Sequence, residues 1–97
     1  MISATEKEFW FRKICSDVLN YYYAACYDPT GNKLSVSHRD LSRMHSYEVA
    51  LWQLRGLCIP YQYGIDLDEK ELKIRIYSNS NNKVYLEFKR GDSICDL

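Results

Sequence analysis

Apolar residues recur at helical spacing in the first quarter of the chain. Ser3 and Thr5 each stand three residues before a glutamate, an arrangement that favours the start of a helix. The pattern predicts one helix that begins near residue 4 to 6, runs to about Tyr27 and ends in a turn at residues 28–32. Its apolar positions lie three or four residues apart: Trp10, Phe11, Ile14, Cys15, Val18, Tyr22, Ala25 and Cys26.

A second helical pattern fills residues 37–61, where Tyr47, Ala50, Leu51, Leu54 and Leu57 share one face. Extending that face backwards as one ideal helix places Arg43 near its centre. Because a buried, unpaired charge is costly, the pattern predicts a break near residues 44–46. We therefore expect two short helices, over about 37–44 and 46–57, that meet in a helix-turn-helix.

The last third of the chain alternates between apolar and polar residues. Residues 71–77 and 83–89 predict two strands, and the asparagine-rich segment between them predicts a turn. Residues 61–67 fit either a strand or an ordered loop, and residues 33–37 leave room for one very short strand. The predicted class is α+β in one domain over residues 1–97: helix, short strand, two-helix unit and C-terminal antiparallel β-hairpin.

Composition narrows the possible partners. Thirteen basic and thirteen acidic residues cancel, which argues against strong non-specific binding to nucleic acid but permits a small basic patch. Nine tyrosines favour a protein interface, because tyrosine combines apolar area with one polar tip.

Further sequence features indicate where the protein is located and which chemistry it lacks. There is no secretory signal and no apolar run long enough for a membrane span, so a cytoplasmic protein is expected. The four cysteines lack the spacing of a zinc site and are expected to be reduced. No paired carboxylates or activated nucleophile stand out, so we expect neither an enzyme nor a cofactor.

Residues 54–61, Leu-Arg-Gly-Leu-Cys-Ile-Pro-Tyr, resemble the "LRxxGIPI" end of the recognition helix in biotin-repressor-type and phage winged-helix domains. Leu41 and Ser42 match the start of the second helix of that family. Cys58 stands where the family has glycine, and the segment between Leu41 and Leu54 is a few residues short. The resemblance implies a winged helix-turn-helix whose recognition helix enters the major groove and whose hairpin touches the DNA backbone.

Two functions follow from these observations. The first is a small DNA-binding domain of a phage, satellite or plasmid regulator or replication-origin-binding protein, acting on double-stranded DNA as a homodimer. Its DNA-contacting residues are predicted from their polar groups on the two-helix unit and the hairpin. They are Arg39, Arg43, Ser46, Tyr47, Gln53, Arg55, Lys73, Arg75 and Lys83.

The alternative is a protein-binding inhibitor, such as a toxin-immunity or anti-defence protein, that acts through an aromatic surface. The order of the elements favours DNA, whereas the neutral charge and the abundant aromatic residues favour a protein target. The predicted interface residues are Phe9, Tyr21, Tyr23, Tyr27 and Trp52. The four on the first helix are also predicted to form the homodimer.

Overall fold

The computed structural model describes residues 3–94 of this chain and has an α+β fold. Two helices come first and a three-stranded antiparallel sheet follows. The helices are α1 (Ala4–Cys26) and α2 (Leu41–Cys58), and the strands are β1 (Tyr63–Asp68), β2 (Lys73–Ser78) and β3 (Val84–Lys89).

Helix α1 begins and ends close to the predicted positions. The hydroxyl of Ser3 accepts a hydrogen bond from the backbone N–H of Glu6 at 3.1 Å, which satisfies one of the free donors of the first turn. After the helix, the carboxylate of Asp28 accepts hydrogen bonds from the N–H groups of Thr30 and Asn32. The predicted turn is therefore an Asp-centred turn, in which Gly31 takes a positive φ of 88°.

Helix α2 is continuous, so the predicted break near residues 44–46 is wrong. Asp40 caps the helix by accepting a hydrogen bond from the Arg43 N–H at 3.0 Å. Arg43 stays exposed in the first turn, where its guanidinium donates to the Ala24 carbonyl at 3.4 Å and lies 3.8 Å from the Asp40 carboxylate. A charge at this position needs no break, because α1 ends here and leaves the side chain in water.

The very short strand predicted for residues 33–37 is also wrong. Lys33 makes only an isolated antiparallel bridge with Tyr27, and Val36–His38 forms a single 3-10 turn. The N–H of Leu34 donates to the carbonyl of Cys26 at 2.7 Å, so this segment is fastened to the end of α1. It has no neighbouring strand with which to extend a ladder.

The predicted hairpin is present as β2 and β3, and the segment left open in the sequence is strand β1. The strand order is β1-β2-β3, with Ile65 opposite Ile76 and Leu67 opposite Ile74. These cross-strand apolar pairs explain why the segment joins the sheet. Both β1 and β3 are edge strands.

The two helices lie side by side on one face of the sheet. Tyr22 contacts Tyr47 and Cys26 contacts Met44, so α1 and α2 run antiparallel. Helix α1 packs next to β3 and α2 next to β1. The fully buried side chains come from all of these layers and include Phe11, Leu19, Leu54, Ile74, Ile76 and Phe88.

Candidate interaction surface

Large apolar side chains are concentrated on the side of the two helices that faces away from the core. Trp52 is 73% exposed and Trp10 is 47% exposed. Tyr21 of α1 and Val49 of α2 line the same shallow groove between the helices. We call this surface the outer helical face and define it by five exposed residues: Trp10, Tyr21, Val49, Trp52 and Ile59.

The geometry of α2 explains why these residues point outward. The helix buries Tyr47, Ala50, Leu54 and Cys58. At about 100° per residue, Trp52 lies almost opposite Leu54, two positions away. Trp52 lies eleven residues after Leu41 and seven before Ile59, so these three exposed apolar residues share one side of α2. The exposed polar residues His45, Glu48 and Arg55 lie between them.

The apolar area of this surface is large for a chain of 97 residues. A fully exposed aromatic side chain offers about 150–250 Å². From their exposed fractions, the five residues together present roughly 600 Å² of accessible surface, most of it apolar. That is the upper end of about 300–600 Å² for the largest patch on a typical monomer, and it approaches about 800 Å² per partner in a standard interface.

The structure brings only part of the predicted aromatic interface together. Tyr21 and Trp52 belong to the outer helical face. Tyr23 and Tyr27 stack on each other with ring centroids 4.6 Å apart, and the Arg90 guanidinium lies 3.7 Å from the Tyr23 ring. Phe9 is half-buried and packs edge-on against Trp10. The five residues predicted for one interface therefore do not form a single surface.

The residues predicted to contact DNA from the helices also lie on different surfaces. Ser46 and Gln53 line the groove between α1 and α2. Arg55 lies on the other side of α2, beside β1. Tyr47 is buried against the ring of Tyr22, with centroids 5.2 Å apart. Arg39 and Arg43 lie at the start of α2, where Arg39 is half-buried and Arg43 pairs with Asp40.

The predicted DNA contacts on the hairpin lie on the sheet face turned away from the helices. The Arg75 guanidinium is 3.4 Å from the Asp66 carboxylate. The Lys73 ammonium lies 3.6 Å from Glu71 and 3.5 Å from Glu87. Lys83 is exposed beside the turn between β2 and β3. Two of these three basic side chains therefore already have acidic partners within the sheet.

A lysine enclosed by tyrosines is a feature that the sequence analysis missed. The Lys7 ammonium lies 4.2, 5.0 and 4.4 Å from the ring centroids of Tyr61, Tyr63 and Tyr85, and it donates to the Tyr63 hydroxyl at 2.8 Å. The bulge between β2 and β3 turns Tyr85 toward the helices, against Phe11. Burial raises the pKa of the Tyr85 phenol to about 12. We call this group the tyrosine cage.

Trp10 and Ile59 were also missed as surface residues. The helical period placed Trp10 with the core of α1, but it lies at the border of that face, where α2 does not cover it. Ile59 could have been found by continuing the exposed side of α2 one more step, seven residues beyond Trp52.

Burial raises the pKa values of several thiols and phenols in the core. Burial, with a smaller effect of the nearby Cys58, raises the pKa of the Cys15 thiol to about 12. The Tyr22 hydroxyl donates to the Glu69 carboxylate at 3.0 Å, and burial together with this bond raises the pKa of Tyr22 well above its usual value. Cys15, Cys26 and Cys58 are free and buried, while Cys95 lies outside the described residues.

Residues 3–94 contain neither a cluster of metal-ligating side chains nor a helix suited to crossing a membrane. No group of three His, Cys, Asp or Glu side chains in this part of the chain could hold a metal ion. Neither α1 nor α2 combines the length and the apolar character needed to cross a membrane. Comparison of the chain with protein-family models, curated proteins and solved structures found no match.

Proposed function

We propose that this protein is a non-enzymatic binding protein that docks another protein chain on its outer helical face. The observation that carries the proposal is the exposure of two tryptophans and three further large apolar side chains on the helix pair. Tyr21 and Val49 line the groove between the helices, and Ile59 lies at the border with the groove beside β1. Tryptophan and tyrosine are enriched among the residues that dominate binding energy at protein interfaces. The nearest charges include the Lys13–Asp17 pair, whose ammonium and carboxylate are 2.8 Å apart and neutralise each other.

A second copy of the chain is the first partner to test. Roughly 600 Å² of mostly apolar surface per copy is close to what a standard interface buries, and a two-fold axis would place the same face on both subunits. An inhibitor that binds a foreign target would use the same tryptophans. In either case the partner must cover Trp52.

The test compares Trp52→Glu with Val36→Glu, which alters a similarly exposed apolar side chain in the 3-10 turn, away from the outer helical face. Light scattering at high micromolar concentration shows whether a second copy is bound. Purification from the native host shows whether another protein is bound in stoichiometric amount. We expect the wild type and Val36→Glu to hold that chain and Trp52→Glu to lose it. A wild-type monomer that co-purifies with no protein, or equal behaviour of the two variants, contradicts the proposal.

A winged-helix DNA-binding domain is the second candidate function. It is favoured by the β2–β3 hairpin that follows the helices and by the exposed arginines at positions 43 and 55 of α2. The continuous α2, in place of a helix-turn-helix, counts against it. In that case selection from random duplexes enriches one sequence, and Arg55→Ala weakens binding to it by about 1–3 kcal/mol. Failure to enrich any duplex at low salt removes this candidate.

A further inference from the structure

Strand β1 has a free hydrogen-bonding edge. It pairs with β2 on one side only. In an antiparallel ladder, alternate residues direct both their N–H and their C=O away from the neighbouring strand. In the part of the chain that the structure describes, no backbone group of residues 63–68 has a backbone partner other than β2. The edge is thus ready to accept another strand.

A groove of about 580 Å³ runs along this edge, between β1 and α2. From the helix it is lined by Tyr47, Leu51 and Arg55, and from the strand by Ile65 and Leu67. Ile65 and Leu67 point to the helical side of the sheet, and both are only half-buried. An added strand would direct every second side chain into this groove, onto Leu51, Ile65 and Leu67, with Arg55 and Glu69 also lining it.

The other side of β1 is acidic. Asp66 and Asp68 point away from the helices and are exposed, whereas the next acidic residue, Glu69, turns toward the helices and accepts from Tyr22. The cross-strand neighbours of both aspartates are basic: Arg75 lies 3.4 Å from Asp66, whereas Lys73 stands opposite Asp68 but directs its ammonium to Glu71 and Glu87. Asp68 accepts the N–H groups of the turn that leads to β2. An added strand that places basic side chains on this side would therefore meet complementary charge.

This charge pattern disfavours a second copy of the same edge. A two-fold axis at Ile65 would place Asp66 opposite Gly64 of the other copy, diagonal to the other Asp66. An axis at Asp66 would place the two Asp66 carboxylates directly opposite each other. Like charges in these positions destabilise a strand pair, so the edge is suited to a different strand.

We propose that the groove between β1 and α2 binds an extended segment of a partner protein, which adds to the sheet as a fourth strand beside β1. Its side chains alternate between apolar residues, which enter the groove, and lysine or arginine residues, which face Asp66 and Asp68. Backbone hydrogen bonds to β1 provide affinity, and the alternation of apolar and basic side chains provides specificity. The six residues of β1 set its length at about six residues, or roughly 20 Å. Ile59 of the outer helical face also lines this groove, whereas Trp52 and Trp10 do not.

The probe is a fluorescein-labelled peptide of sequence Lys-Val-Lys-Val-Lys-Val, and its control is Lys-Lys-Lys-Val-Val-Val. The two peptides have the same charge and composition, so only the alternation differs. We expect the alternating peptide to bind about tenfold more tightly in fluorescence anisotropy, because the control can place fewer valines in the groove while its charges face Asp66 and Asp68. Amide hydrogen exchange should slow in residues 63–68 and stay unchanged in residues 84–89, the other edge of the sheet.

The chain offers a matched pair of variants. Asp66, Arg75 and Glu87 form one row across the sheet, so Asp66 and Glu87 flank the same arginine at opposite edges. Asp66→Lys and Glu87→Lys make the same change in net charge. We expect Asp66→Lys to weaken binding of the alternating peptide about three- to tenfold and Glu87→Lys to change it less than about twofold.

Three results overturn the proposal. They are equal affinity for the two peptides, slowed exchange somewhere other than residues 63–68, and equal loss of affinity in the two lysine variants. The thermal stability of Asp66→Lys and Glu87→Lys is measured as a control. If it is equal, a difference in peptide affinity reports the binding site and not a loss of folding. Because Trp52→Glu leaves this groove intact, failure here is distinguishable from failure of the proposed helical interface.

Discussion

Replacing Lys7 with methionine tests whether the tyrosine cage stabilises the fold. The ammonium of Lys7 lies within 5.0 Å of three tyrosine ring centroids and donates to one phenol. It joins the first turns of α1 to the segment that enters β1 and to β3. Methionine keeps an unbranched side chain over the rings but removes the charge and the hydrogen-bond donor.

The expected cost follows from the partial burial of the site. A cation over an aromatic ring contributes about 0.5–1 kcal/mol when exposed and about 2 kcal/mol when desolvated. One ammonium shared among three rings does not gain three times this amount, and methionine recovers part of the contact with the rings. We expect Lys7→Met to lower the free energy of unfolding by about 1–2 kcal/mol. In a domain of this size that corresponds to a decrease in Tm of roughly 5–15 °C.

The control is Lys13→Met, on the same helix. Lys13 pairs with Asp17 four residues on, and both side chains are more than one-third exposed. Such a pair contributes about 0.3–0.5 kcal/mol, so the decrease in Tm should stay below about 4 °C. Chemical and thermal unfolding followed by tryptophan fluorescence measures both variants. If Lys7→Met has the same Tm as the wild type, or if the two variants lose equal stability, the tyrosine cage does not stabilise the fold.

Two further predictions concern the core and the sheet. Burial raises the pKa of Cys15 from 9.0 to about 12 and that of Cys58 to about 11 in the folded state, so above pH 9 the unfolded chain loses these protons first. The two thiols should therefore not affect the free energy of unfolding below pH 9, and this free energy should decrease between pH 9 and 12. Denaturant unfolding at pH 8 and at pH 10.5 measures the decrease, which should be smaller in Cys15→Ala than in the wild type. An identical decrease in the two proteins would contradict this assignment. A β-carbon on Gly64 would lie 2.6 Å from Cζ of Tyr77, so Gly64→Ala should cost about 1–2 kcal/mol of unfolding free energy. The cost should shrink in a Tyr77→Ala background in a double-mutant cycle, and additive losses would show that the ring is not the obstacle.

The sequence by itself determined the elements whose signals are local. Helix α1 and the β2–β3 hairpin follow from apolar periodicity, and the turn after α1 follows from Asp28 and Gly31, whose side-chain bonds and backbone freedom act within five residues. The same local pattern showed Trp52 opposite Leu54. Periodicity suffices in these cases because each element buries one clear face.

Tertiary structure decided the features that depend on where a neighbouring element ends. Helix α2 runs through Arg43 because α1 stops beside it, and residues 63–68 become a strand because β2 offers them Ile74 and Ile76 as partners. Which tyrosines enclose Lys7 and which stay exposed depends on a bulge in the sheet, and the free edge of β1 depends on the strand order. A helical or strand period tells which side of an element is apolar, but only packing determines whether that side is covered.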